Sequence, residues 1–90
     1  SMPHPAFEIF YHPDVSKKDL SKISTGEKQR IKKAIETKLI VAPHEFGEPL
    51  RRTLKGYWEL RVGDYRIIYK IEGKTINIFR IGHRREVYER

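Results

Sequence analysis

Tyr57-Trp58-Glu59-Leu60-Arg61-Val62-Gly63-Asp64-Tyr65-Arg66-Ile67-Ile68-Tyr69 is the stretch whose reading decides the fold. Apolar and polar residues alternate on both sides of Gly63-Asp64, the pattern of two half-buried strands joined by a two-residue turn of type I′ or II′. With Gly63 and Asp64 as the turn, Val62 faces Tyr65, Leu60 faces Ile67 and Trp58 faces Tyr69, all on one side of the hairpin. The other side sets Arg61 opposite Arg66, Glu59 opposite Ile68 and Tyr57 opposite Lys70. Two directly opposed arginines repel each other unless negative charge lies between them. Glu59, diagonal to Arg66, can supply that charge, with solvent screening what remains. The other reading is a preorganised anion site on an open sheet face.

Working outward, Gly73 marks a second hairpin leading into a strand over residues 75–81, and residues 82–90 form a polar tail with one aromatic, Tyr88. Upstream, residues 44–56 hold Gly47, Pro49 and Gly56 and read as a loop. Residues 6–11 alternate as a strand ended by Pro13. A lysine-rich helix over 14–23 is anchored by Val15, Leu20 and Ile23. Ser24-Thr25-Gly26-Glu27 has the capping-box pattern, with Ser24 accepting and Glu27 reaching back. The helix it opens carries Ile31, Ala34, Ile35, Leu39 and Ala42 on one face and stops at Pro43. The order βααβββ predicts an α+β fold, an antiparallel sheet with a helical hairpin packed on one face.

The chain has 90 residues, enough for one small domain over 1–90, with Ser1 before Met2 read as a tag-cleavage scar. Apolar residues make up 38%, too many for a disordered chain and enough for only a thin core. The longest apolar run is the four residues from Leu39 to Ala42, which excludes a helical membrane span from the sequence. Zero cysteines exclude a disulfide framework and a thiol nucleophile and fit a reducing cytoplasm. His4, His12 and His44 lack companions at metal-ligand spacing and read as surface residues. No phosphate-binding glycine loop occurs, and no carboxylate cluster suited to magnesium, so any phosphate chemistry is expected to be metal-independent and cofactor-free.

Lys and Arg total 19 against 12 Asp and Glu, a net charge of +7. Such a charge also serves solubility alone. Its distribution says more: residues 1–45 carry seven Lys and one Arg, residues 46–90 three Lys and eight Arg. Arginine's planar fork grips phosphate or carboxylate in a bidentate way, so the second half is expected to bind an anion. His83 and Arg84, after Gly82 at the end of the last strand, and Tyr88 beyond them are candidates for the same site. Lys55, beside Gly56, is another.

The stretch from Leu54 to Tyr69, together with Ile81-Gly82-His83-Arg84-Arg85-Glu86-Val87-Tyr88, resembles the RelE/ParE toxin superfamily of bacterial and archaeal toxin–antitoxin modules. Pro43, Phe46-Gly47 and Leu50 are similar to its helix-to-sheet connector. The resemblance implies a RelE-like fold and, for the RelE branch, a messenger-RNA endonuclease acting on the ribosome. It implies a cognate antitoxin, whose acidic or amphipathic segment covers the basic face, and no membrane partner. By the resemblance Arg66 is the sheet arginine that contacts phosphate, Arg84 the arginine of the last strand, Tyr88 the C-terminal catalytic tyrosine and His83 an acid/base group, with Arg61 on the same sheet face. Arg66, Arg84 and Arg61 are expected to clamp the phosphate. The lysines of the best-known member fall on Tyr57 and Glu59, so Glu59 with His83 is expected to take over proton transfer. Lys55, Arg52 and Arg85 are expected to add positive charge for the RNA backbone. The alternatives are a ParE-like inhibitor of DNA gyrase and a catalytically inactive anion-binding relative.

Overall fold

The computed structural model describes residues 7–89. The alternating stretch forms strands β3 (Trp58–Val62) and β4 (Tyr65–Glu72), in the register read from the turn: Trp58 with Tyr69, Leu60 with Ile67, Arg61 with Arg66 and Val62 with Tyr65. Gly63 has φ +59° and Asp64 keeps a negative φ, which selects the type II′ option with glycine first. Strand β5 (Thr75–His83) continues the antiparallel order, two residues longer than its apolar pattern predicts.

The sheet has five strands in the order β1-β5-β4-β3-β2. Strand β1 (Glu8–Tyr11) pairs parallel to β5, and the two-residue β2 (Glu48–Pro49) pairs antiparallel to β3. Tight turns specify only neighbouring hairpins, so β1 takes the edge that the meander leaves open. There Phe7 and Ile9 pack against the core. Ala6 and His4 lie outside the described residues.

Two helical arms cover one face. The first is a π-helical segment Val15–Asp19 continued by a 3₁₀ turn Leu20–Lys22; the second is α1 (Thr25–Ala34) continued by a π-helical segment Ile35–Leu39. Ser24 Oγ accepts from the Glu27 N–H at 3.3 Å, but the Glu27 carboxylate pairs with Arg30 at 3.1 Å instead of completing the box. A nearby guanidinium is a stronger partner for a carboxylate than a solvated backbone N–H. Ile31, Ile35 and Leu39 meet Leu60, Val62, Ile67, Tyr69, Ile76, Ile78 and Ile81 in the core.

The connector expected as a plain loop contains more structure. Pro43 stops the second arm and also opens a four-residue helix, α2 (Pro43–Phe46), where its missing N–H and fixed φ cost nothing. After β2 comes a 3₁₀ turn, Arg52–Leu54. The buried Tyr69 hydroxyl pins this segment by donating to the Pro43 carbonyl at 2.8 Å, and a Cβ at Gly47 would overlap that hydroxyl. Gly47→Ala should therefore destabilise the protein by about 2 kcal/mol through overpacking and loss of that bond. Denaturant unfolding would show it as a lower midpoint with an unchanged m value.

Strand β5 contains an irregularity that governs the site. Ile68 pairs with Arg80 but Tyr69 pairs with Ile78, leaving Phe79 as an extra residue. The bulge reverses the alternation along the strand. Ile76 and Ile78 face the helices before it, and Ile81 does after it. Past the bulge, Arg80 and Gly82 fall on the open face, while His83 faces the helices.

Candidate nucleic-acid interface

The open face carries Glu59 and Arg61 from β3, Arg66 from β4, Arg80 from β5 and Tyr88 from the tail. Glu59 is at the centre and is buried, 7% exposed, although it is an acid on the solvent side of a sheet. Its Oε1 lies 3.2 Å from Arg66 Nε and its Oε2 4.0 Å from Arg61 Nε, and the Tyr88 hydroxyl hydrogen-bonds it. Glu59 thus provides the negative charge that lets two arginines oppose each other across the hairpin.

The two arginines are held differently. Arg66 is largely buried, and its Nη1 donates to the Gly63 and Tyr65 carbonyls, each at 2.9 Å. These bonds, with Glu59 at Nε, fix the guanidinium plane. Arg61 is exposed and reaches Glu59 and Glu48 only at 4.0 Å, too long for a hydrogen bond. Its fork can turn to an incoming phosphate. Arg84 is exposed at the same end of the sheet: its N–H donates to the Asp64 carbonyl at 2.8 Å, and its Nε lies 3.7 Å from the Asp64 carboxylate. A solvated pair of this kind contributes little and exchanges readily for a stronger anion.

His83 does not join them. It is the register partner of Tyr65, with the rings 5.7 Å apart, and lines a cleft with Asp19, Lys22 and Glu86 near the first helical arm. Its Nδ1 accepts from the Arg85 N–H at 3.2 Å. Arg85 borders the same cleft, so both residues sit away from the Arg61–Glu59–Arg66 cluster. Lys55 and Arg52 are exposed and bracket Thr53 and Leu54, which line a second cleft on the open face. Among the described residues no group of His, Cys, Asp and Glu could hold a metal ion.

Two further residues contribute. Arg80 Nη1 donates to the Val87 carbonyl at 2.6 Å, which ties the tail down beside Tyr88. Asp19 is buried, and its Oδ2 accepts from the Ile81 N–H at 2.9 Å, filling a position beyond the last β1–β5 pair. The sequence signal for Arg80 was the broken apolar alternation after Ile78; Asp19 had none beyond an acid in a lysine-rich helix.

The tail also tunes its phenol. Partial burial, then the bond to and charge of Glu59, push the Tyr88 pKa up to about 12, against a smaller lowering by Arg66 and Arg61. Tyr88 is therefore a neutral donor at physiological pH. The raised value means the tail's docking is fully present below pH 10 and is lost as pH rises through about 12. Ultraviolet difference titration of the protein against Tyr88→Phe should show one phenol ionising near that upper value; ionisation near pH 10 would mean that the tail does not dock Tyr88 beside Glu59 in solution.

Comparison with known proteins bears on this arrangement. The family described as the ParE toxin of the type II toxin–antitoxin system, parDE, matches residues 4–88. Toxin RelG of Mycobacterium tuberculosis is 42% identical over 50 residues, covering 53% of this chain and 58% of that protein. Toxin RelE of the same organism is 38% identical over 52 residues, covering 56% and 54%. The chain thus matches a little over half the length of these curated relatives. Among solved structures, the RelBE2 toxin–antitoxin complex of M. tuberculosis superposes with a TM-score of 0.81 at 28% identity, over 87% of this chain and 98% of that one. The RelB–RelE complex of Methanococcus jannaschii gives 0.69 at 26% identity, over 89% and 95%. With its sequence matched almost throughout and its α+β architecture shared with RelE-like toxins, this chain belongs to the ParE toxin family of type II toxin–antitoxin systems, within the RelE/ParE superfamily.

Proposed function

We propose that this chain is a toxin that arrests growth by cutting messenger RNA on the ribosome, without a metal, with the RNA 2′-hydroxyl as nucleophile. The observation that carries this reading is the cluster of Arg61, Arg66 and Tyr88 around Glu59 on an open sheet face, with Arg84 at its edge. The arginines clamp the scissile phosphate and stabilise its extra charge as the 2′-oxygen attacks. His83 lies on the wrong face to serve, so proton transfer falls to Glu59 and Tyr88. An entering phosphate competes for Arg61 and Arg66 and releases Glu59 to accept the 2′-hydroxyl proton. Tyr88 donates its proton to the leaving 5′-oxygen and recovers one from Glu59. The products are a 2′,3′-cyclic phosphate and a 5′-hydroxyl.

A cognate antitoxin partner follows from the toxin–antitoxin complexes formed by the relatives of known structure. An acidic segment laid over the open face would neutralise the arginines and exclude RNA together. The site of action is then the cytoplasm, with the ribosome and its message as partners. Among the described residues no helix is long and apolar enough to cross a membrane.

A gyrase-directed activity is the second reading. It is favoured by the ParE family match and by a carboxylate that already neutralises the arginines on the open face. Primer extension after brief induction separates the two. New 5′ ends within translated messages, and none when translation is blocked, support the nuclease. A DNA-damage response with intact messages supports the gyrase reading. Anion binding without growth arrest would point to an inactive relative.

A further inference from the structure

We propose that the cleft on the open face beside the arginine cluster is a nucleobase pocket, which holds the base of a nucleotide flanking the phosphate and sets sequence preference. The proposal rests on the RNA reading above and names a subsite for it. The cleft, about 330 Å³, is walled by Tyr57, Phe79, His12 and Tyr88, with Arg80 and Asp14 at its polar ends. That volume suits one base and little more.

The walls are aromatic and arranged at angles. Tyr57 and Phe79 meet edge to face at 5.3 Å, and His12 and Phe79 diverge by 35° with centroids 6.0 Å apart. This wedge of π surfaces accepts a planar ring of any base. Phe79 lies on the open side as the neighbour of the helix-facing Ile78, and the β5 bulge keeps Arg80 on that side with it. Lys70 Nζ lies 4.7 Å from the Tyr57 ring centroid, and Arg52 and Lys55 flank the lining residues Thr53 and Leu54, so the rim suits a phosphodiester chain. The cleft is continuous with the phosphate site. Ile68 in its floor is the register partner of both Glu59 and Arg80, and Tyr88 belongs to both sites.

The polar ends provide discrimination. His12 Nδ1 accepts from the Asp14 N–H at 3.0 Å, which leaves its proton on Nε2 as a donor. The Asp14 carboxylate is an acceptor only. Guanine alone presents two adjacent donors on its pairing edge, whereas adenine presents an acceptor beside its amino group. The pocket therefore favours guanine over adenine.

The test uses the intact chain and fluorescently labelled 2′-O-methyl RNA tetranucleotides, which cannot be cleaved, with guanine, adenine or an abasic residue at a scanned position. At one position the guanine oligomer should bind about 10-fold more tightly than the abasic one, in line with the measured value of a base stacked on aromatic side chains. Tyr57→Leu should erase that difference while leaving abasic binding within about twofold. Asp14→Asn, a half-exposed substitution that spares the core, should remove the preference for guanine over adenine. Equal binding of abasic and base-bearing oligomers at every position, or equal losses for both in Tyr57→Leu, would overturn the pocket and leave the cleft to a protein partner. The outcome is independent of cleavage. Messages cut in cells with no base dependence here would sink the pocket alone, whereas base-dependent binding without cleavage would sink the nuclease alone.

Discussion

Arg84→Ala should lower cleavage of a translated message by about 10²–10³-fold and leave the thermal midpoint unchanged. Arg84 is the phosphate-clamp candidate whose removal disturbs nothing else. Its side chain is exposed, its one ionic partner is the solvated Asp64 at 3.7 Å, and the tail is anchored here through its backbone N–H. An exposed ion pair contributes between zero and about 1 kcal/mol, so stability barely registers the change. The transition state registers it strongly, because a guanidinium placed beside a phosphorane acts where charge develops. Arg84→Lys should recover only part of the rate, since an ammonium cannot bridge two phosphate oxygens. Induction with timed RNA sampling gives the rate, and thermal denaturation the fold. Full cleavage in a folded Arg84→Ala variant would remove Arg84 from the mechanism.

The second large effect is on stability. Arg66→Ala would leave the buried Glu59 carboxylate with only the 4.0 Å contact to Arg61 and the Tyr88 hydroxyl, and Glu59→Ala would leave Arg66 facing Arg61 with no carboxylate between them. Each should cost about 3 kcal/mol. In a domain of this size that lowers the thermal midpoint by about 4–8 °C for every kcal/mol. The double variant should lose much less than the two single losses combined, because neither charge is then left alone. Added salt should partly restore Glu59→Ala, whose remaining fault is repulsion between cations, one of them exposed. Arg66→Ala is consequently a poor probe of catalysis on its own: lost growth arrest in that variant mixes an absent clamp with a weakened fold. Additive losses would show that Glu59 and Arg66 do not depend on each other.

Glu59 and Tyr88 connect these two results. The same carboxylate that balances the arginines in the free protein receives the Tyr88 hydroxyl, so the resting site is closed on itself. Phosphate binding must replace Glu59 as partner of the arginines. Affinity for a polyanion therefore reflects a competition, and binding should fall steeply with salt.

What the sequence by itself determined was local. Period-two alternation around Gly63-Asp64 is enough to place Arg61, Arg66 and Glu59 on one face of a hairpin, because side-chain direction and turn length leave one register. The spacing of Ile31, Ile35 and Leu39 likewise determined which side of the second arm meets the sheet. Tertiary structure alone decided where β5 changes phase. Unbroken alternation from Ile76 would send His83 to the arginine face and Arg80 into the core. The extra residue at Phe79 exchanges them, bringing Arg80 to the site beside Phe79 and carrying His83 to the helices. The broken alternation at Ile78, Phe79 and Ile81 marks the strand as irregular, but only its pairing with β4 decides which residue stands out of the ladder. The reach of Tyr88 to Glu59 and of Asp19 to the Ile81 N–H are of the same kind: they join residues far apart in the chain, which meet only once the core has brought their elements together.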